Sequence, residues 1–348
     1  MPQQFKPILG ITMGDPAGIG PEITIRSLTL EEIYDCCRPI VIGDARVLAQ
    51  EKNAYGLKPD IKVVNAVGDA LFQWGTIDLL DLNNVQIDHL RMGEVQAMAG
   101  KAAYEYVEKG VQLALRHEIH GIATAPLNKE ALNKAGYPYP GHTEILAELT
   151  GSSDFNMMFL TPNLRVILVT IHLPLREACK LVKKDRILKT IRLANETLES
   201  MGIHEPRIAV AGLNPHAGES GMFGYEEVKE IEPAIQMVRE NGLNVTGPVP
   251  PDTVFWRATK GEFDIVVAMY HDQGCIPIKL LGFEVGVNMT VGLPIIRTSV
   301  DHGTAFNHAR NRIGANPNSL VEAIRVATKL AQDKYGSEKT STKTFNTK

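Results

Sequence analysis

Seven short runs of consecutive apolar residues set what this chain can become. They are ILGITM (8–13), PIVIG (39–43), IKVVN (61–65), IHGIATA (119–125), LRVILVTI (164–171), RIAVAGL (207–213) and DIVVAMY (264–270). Several are apolar without alternation, the pattern of strands covered on both faces. Helical stretches separate them, at 94–117, 183–200, 226–241 and 319–335. The first of these is rich in Ala, Glu, Lys and Leu, all strong helix formers. Strand alternating with helix predicts an α/β class with a largely parallel sheet. A chain of 348 residues has room for two domains or one large one. No low-complexity linker or internal repeat marks a boundary, so any division is expected as a cleft within a continuous α/β body.

Composition excludes several classes of function. Lys and Arg number 36 against 40 Asp and Glu, a net charge of −4. That leaves no basic excess to neutralise a nucleic-acid backbone. No run of 18 apolar residues would cross a membrane, and the N-terminus lacks the basic-then-apolar plan of a secretory signal. A cytoplasmic protein is the expectation. The cysteines (Cys36, Cys37, Cys179 and Cys275) form no CxxC pair, so zinc-ribbon and dithiol redox motifs are absent and reduced thiols are expected. The last stretch, 336–348, is polar and reads as a frayed tail.

Histidine placement is the most informative chemical feature. His172 directly follows the run LRVILVTI, His216 follows RIAVAGL after a short link, and His271 directly follows DIVVAMY. Each sits past the C-terminal end of a predicted strand, where open α/β sheets bind ligands. Three imidazoles converging with an open fourth position make a catalytic divalent-metal site. One such histidine would be an ordinary loop residue; three at equivalent places favour the metal. Glu219 and Asp272 stand close enough in sequence to orient imidazoles.

Other segments carry weaker signals. GITMGDPAGIGPEI (10–23) has the outline of a phosphate-binding turn, but its glycines do not fit GxGxxG and no GK[ST] follows. A tight βα turn with Pro21 in the helix's first turn is the better reading. PYPGHTE (138–144) puts His142 and Thr143 at a helix start, either as a cap or as an anion contact. In 279–306, Lys279 and Arg297 are cations in a Gly-punctuated region suited to carboxylate or phosphate.

Together, GDPAGIGPE, APLNKEAL, YPGHTE, IHLPLR, GLNPHAGE, PPDTVF, MYHDQG and GVNMTVGLPIIRTSVDHGTA resemble the 4-hydroxythreonine-4-phosphate dehydrogenase family, from about residue 8 to 330. The resemblance implies a two-lobed isocitrate/isopropylmalate-dehydrogenase-like fold around a central cleft, not a standard Rossmann domain. One lobe would be 1–130 plus 298–335. The other, 131–297, would carry the metal and substrate site. The resemblance also implies a homodimer with the active site at the subunit interface, NAD (NADP remains open) and a divalent metal such as Zn, Mg, Co or Mn. The family's metal ligands fall on His172, His216 and His271. Its substrate contacts fall on His142, Thr143, Lys279, Asn288 and Arg297. By analogy Gly292, Asp301, Gly303 and Thr304 lie beside the dinucleotide. Asp252, Asp272 and Lys129 are the candidates for the general base.

The implied chemistry is oxidation at C3 of a 4-phosphorylated 3-hydroxy four-carbon acid, followed by loss of CO2. PPDTVF, APLNKEAL and DIVVAMYHDQGCIPIKLLGF are similar to the D-threonate/D-erythronate 4-phosphate branch, whose product is dihydroxyacetone phosphate. The alternative substrate is 4-phosphohydroxy-L-threonine, on the route to pyridoxal phosphate. More distant alternatives are a metal-dependent hydrolase, a phosphate acyltransferase and a binding protein without turnover.

Overall fold

A computed structural model describes residues 5–336, and the chain divides into two compact units, Met1–Ser153 with Leu293–Lys348 and Asp154–Gly292. The chain begins the first unit with β1 (Ile8–Thr12), α1 (Gly20–Ser27), α2 (Glu31–Cys36), β2 (Arg38–Gly43), α3 (Ala45–Ala54), β3 (Asp60–Val64) and β4 (Thr76–Asp81). The long α4 (Ala97–Leu115), β5 (Gly121–Thr124), α5 (Lys129–Lys134) and α6 (His142–Thr150) follow. The second unit holds β6 (Asn156–Thr161), β7 (Leu164–Leu168), α7 (Leu175–Leu181), α8 (Lys184–Ser200) and β8 (Ile208–Ala211). It continues through α9 (Glu232–Glu240), β9 (Val245–Val249), α10 (Pro251–Thr259), β10 (Ile265–Ala268), α11 (His271–Gly282) and β11 (Val287–Val291). The chain then returns to the first unit for β12 (Arg297–Val300), α12 (Phe306–Asn311) and α13 (Asn318–Gly336).

The first unit's strands run β3-β4-β2-β1-β5-β12, every pair parallel. Leu9, Ile11, Ile40, Ile42 and Ile122 are fully buried, as expected of strands that helices cover on both faces. The second unit's order is β11-β6-β7-β10-β8-β9. Its β7, β10, β8 and β9 are parallel, whereas β11, β6 and β7 pair antiparallel. The sheet is therefore mixed, not uniformly parallel. The β6–β7 link at 162–163 is too short for a helical crossover and forces a hairpin. Behind β7 and β10, Val166, Leu168, Val266 and Ala268 pack with Val254 of α10 and Ile278 of α11.

The unit boundaries differ from the sequence expectation of 130/131 and 297/298. Helices α5 and α6 pack on α4, which keeps 131–153 with the first unit. Arg297 opens β12, whose parallel partner is β5, so it too belongs there. Gly336 ends α13; the rest of the expected tail, 337–348, lies outside the described residues.

Candidate functional site

In the first unit the expected substrate residues gather around α6 and the start of β12. Gly141, with extended φ of 172°, is the N-cap of α6, which places His142 and Thr143 in the first helical turn. The cap is thus not Thr143: the turn needs its backbone at 141, and Thr143 is buried inside the helix. The loop that delivers His142 is clamped by rings. Tyr137 stacks on Tyr104 of α4 at 3.9 Å, and Tyr139 lies parallel to the same ring at 6.1 Å. Arg297 is 2% exposed, and its Nη2 donates to Thr124 Oγ1 at 2.8 Å. Burial pulls its guanidinium down to about 9, with Glu144 acting the other way. His142 is held well below the usual imidazole range, first by burial and then by the positive charges of Arg297 and Lys129. A neutral imidazole beside two cations, in the first turn of a helix, is a setting for an anion.

The turn after β1 packs against its own protein. Residues 13–20 are all buried, Ile19 N donates to Thr304 O at 3.0 Å, and a Cβ on Gly18 would lie 2.9 Å from Thr304 Cβ. Thr304 therefore packs directly on that turn and takes up the Ile19 N–H. Thr304 is buried, Gly303 exposed, and Asp301 N donates to Ser319 Oγ at 3.2 Å. Asp15, beside this loop, is a residue the sequence reading passed over. Its carboxyl is fully enclosed, accepts from Ala17 N at 2.8 Å, and is pushed by burial up to about 7, against the N–H groups of Ala17 and Asn128.

In the second unit His172 and His271 place their rings 5.3 Å apart and line one cavity of about 350 Å³ with Leu173, Tyr270 and Asp272. Asp272 Oδ1 lies 2.7 Å from His271 Nδ1, and Glu219 Oε1 lies 3.1 Å from His216 Nδ1. Each carboxylate can take the Nδ1 proton's hydrogen bond, which would leave Nε2 as the nitrogen turned to a ligand. That donor chemistry fits a divalent ion. His216, however, is not gathered with the other two: among the described residues no group of three His, Cys, Asp or Glu side chains converges within the chain. The sequence rule places each histidine past a strand but does not bring three strand ends to one point. Gln273 ties two of these ends together, donating to Gly212 O at 2.8 Å and accepting from Met269 N at 2.6 Å.

The remaining expected residues are dispersed. Lys279 is exposed on α11, its ammonium 5.9 Å from the Phe283 ring. Asn288 is half-buried on β11, and Asp252 is exposed in the first turn of α10. Gly292 has a φ of +84°, and a Cβ there would lie 2.0 Å from Asp154 O. It borders a second cavity of about 560 Å³ with Asp185, Lys189, Arg192 and Glu196.

An imidazole pair beside a cavity in the second unit and a buried guanidinium in the first are the equipment of an α/β protein that binds a small anionic molecule. The chain belongs to the family described as pyridoxal phosphate biosynthetic protein PdxA, whose model matches residues 35–327. A protein of Cupriavidus necator named D-threonate 4-phosphate dehydrogenase is 49% identical, over 94% of this chain and 98% of its own length. Two solved structures named 4-hydroxythreonine-4-phosphate dehydrogenase are also similar. The Burkholderia phymatum protein is 49% identical with a TM-score of 0.83, over 94% of this chain and 98% of its own. The Klebsiella pneumoniae protein is 45% identical with a TM-score of 0.88, over 94% and 99%. No described helix is long and apolar enough to cross a membrane.

Proposed function

We propose that this protein is an NAD- and divalent-metal-dependent dehydrogenase that oxidises and decarboxylates D-threonate 4-phosphate or D-erythronate 4-phosphate, giving dihydroxyacetone phosphate. The observation that carries the reading is the buried Arg297 guanidinium whose charge, with that of Lys129, acts on His142, in a chain 49% identical to a protein named for the first of these substrates. Bound NAD would supply the hydride acceptor, and a divalent ion, which His172, His216 and His271 would hold between them across the two copies of a dimer, would supply electron withdrawal from the reacting alcohol.

The chain's own residues do the rest. Arg297, fixed by Thr124, binds phosphate or carboxylate as a rigid fork. Lys279 and Asn288 add a cation and an amide for the same anionic substrate. His142, uncharged, donates or accepts one hydrogen bond without adding a third positive charge. Asp272 is engaged by His271 and acts as its orienting carboxylate. Asp252 stands exposed on α10. Lys129 is the group we assign to the C3 hydroxyl proton: its Cε would lie 3.7 Å from a Cβ on Gly141, and it takes that proton only as the uncharged amine. Hydride leaves C3, the proton leaves the C3 hydroxyl, and the resulting β-keto acid loses CO2. Protonation at C2 then gives dihydroxyacetone phosphate.

The fold proposed is the isocitrate/isopropylmalate-dehydrogenase-like one, and the assembly a homodimer. A row of exposed apolar side chains on and after α11 (Ile276, Leu280, Leu281 and Phe283) supports a second copy as the cover. The test is NADH formation by metal-replete protein with D-threonate 4-phosphate, D-erythronate 4-phosphate and 4-phosphohydroxy-L-threonine in parallel. Faster turnover of either acid sugar is the expected result. Faster turnover of the amino acid would move the chain to the pyridoxal phosphate route, and no NADH from any of them would overturn the reading.

A further inference from the structure

His216 sits in an unusual piece of backbone. Residues 216–220 all have positive φ, from 40° to 77°, and four of these five are not glycine. This is a turn of left-handed helix, which L-residues resist by roughly 1–2 kcal/mol each. Such a conformation persists only where the surroundings over-determine it.

One side chain does that here. Glu227 is 1% exposed. Its Oε1 accepts from the backbone N–H of both Leu213 and Asn214, each at 2.8 Å. Its Oε2 accepts from Asn214 Nδ2 at 2.9 Å, and Glu226 Oε2 accepts from the same nitrogen at 2.8 Å. The turn closes around this carboxylate: a Cβ on Gly218 would lie 2.6 Å from Glu227 Oε2, and one on Gly212 would lie 3.3 Å from Oε1. Glu227 also opens a π-turn, Glu227–Ile231, a local irregularity frequent at functional sites. The buried carboxylate thus bonds the chain just before the imidazole and packs against Gly218 just after it, while His216 itself stays 61% exposed.

We propose that Glu227 is the positioning residue of His216: its carboxylate templates the left-handed 216–220 turn and so aims the imidazole at the metal. This rests on the reading of His216 as a metal ligand. It separates two roles among the acids near the histidine. Glu219 bonds the imidazole directly, whereas Glu227 acts only through the backbone.

The test is Co²⁺ titration of the metal-free, full-length protein, comparing wild type with E227A, E227Q and H216A. Changes around a metal ligand typically weaken binding about 10–100-fold, and E227A is expected in that range. E227Q is expected between E227A and wild type, because its remaining oxygen still takes the Leu213 and Asn214 N–H groups. Excess metal should restore kcat in E227A and E227Q but not in H216A, which a general structural defect would not reproduce. E227Q carries the test if E227A does not fold. Wild-type Co²⁺ affinity in E227Q and E227A, with H216A impaired, would overturn the proposal. Wild-type affinity in H216A would instead remove the ligand assignment on which the proposal rests, and the proposal with it.

Discussion

Asp15→Asn gives the sharpest test of the electrostatics around the first unit's strand ends. The Asp15 carboxyl rises from an ordinary 3.8 to about 7 because burial penalises its charge. The folded state therefore holds a proton that the unfolded chain has already released, and stability must fall as pH rises between those values. About three pH units at about 1.4 kcal/mol each sets a ceiling of about 4 kcal/mol. The cost is absent below the unfolded value, grows through the interval and levels off above the folded value. Asparagine has the same shape and does not titrate. Any misfit of its amide against the N–H groups of Ala17 and Asn128 adds a constant offset at every pH. The slope is therefore the measurement, not the absolute stability. Trp74 lies in the first unit and Trp256 in the second, and they are the chain's two tryptophans. In a Trp256→Phe background, urea unfolding followed by fluorescence reports on the first unit alone. From about pH 4 to about pH 8 the Asp15 protein should lose up to about 4 kcal/mol relative to Asp15→Asn. Parallel stability curves would show that Asp15 stays ionised in the fold and that burial does not dominate its titration.

Three further outcomes are expected. His142, held neutral in the fold, lets the unfolded chain take up a proton first, so acidification below about pH 6.5 should cost stability that His142→Gln does not lose, read from thermal melts across that range. Gly292→Ala puts a Cβ where Asp154 O stands, at a φ of +84°, and should destabilise the second unit by at least about 2 kcal/mol; a melting temperature like wild type's would show that the turn relaxes freely. Asp272→Asn removes the charge that orients His271 through Nδ1 and should weaken Co²⁺ binding about 10–100-fold while leaving the fold's melting temperature near wild type, as equilibrium dialysis would show.

The elements legible in the sequence were those whose burial writes a pattern into consecutive residues. All seven apolar runs contain strands, and the four helical stretches reappear as α4, α8, the π-turn Glu227–Ile231 with α9, and α13. The overlooked strands explain themselves. β12 reads RTSV, polar by composition, yet every residue is buried, with Arg297 bonded to Thr124 and Thr298 Oγ1 donating to Ala323 O at 2.7 Å. A buried polar strand satisfies its groups through partners 25 and 173 residues away in sequence, which no local pattern encodes. β6 and β11 pair antiparallel beside a parallel set, and β4, reading TIDLLD, mixes its apolar residues with acids.

The same logic divides the candidate site. His172, His216 and His271 were visible because strand ends mark where ligands bind, and the residue type names the chemistry. Asp15 was overlooked because GDPAG draws attention to glycine spacing, whereas the physically unusual group is the carboxylate between the glycines. Glu227 was invisible for a stronger reason. In sequence it is one acid among several in GYEEVKEIEP, and only its burial and its grip on Leu213 and Asn214 set it apart. Residues that meet a ligand tend to be chemically distinctive and so can be read from sequence. Residues that hold them in place are ordinary in type and distinctive only in environment. In this chain the strained turn at 216–220 makes that environment decisive. A histidine in left-handed backbone is informative about its ligand only if something pays the conformational cost, and the residue that does so lies 11 positions away, at the start of a π-turn.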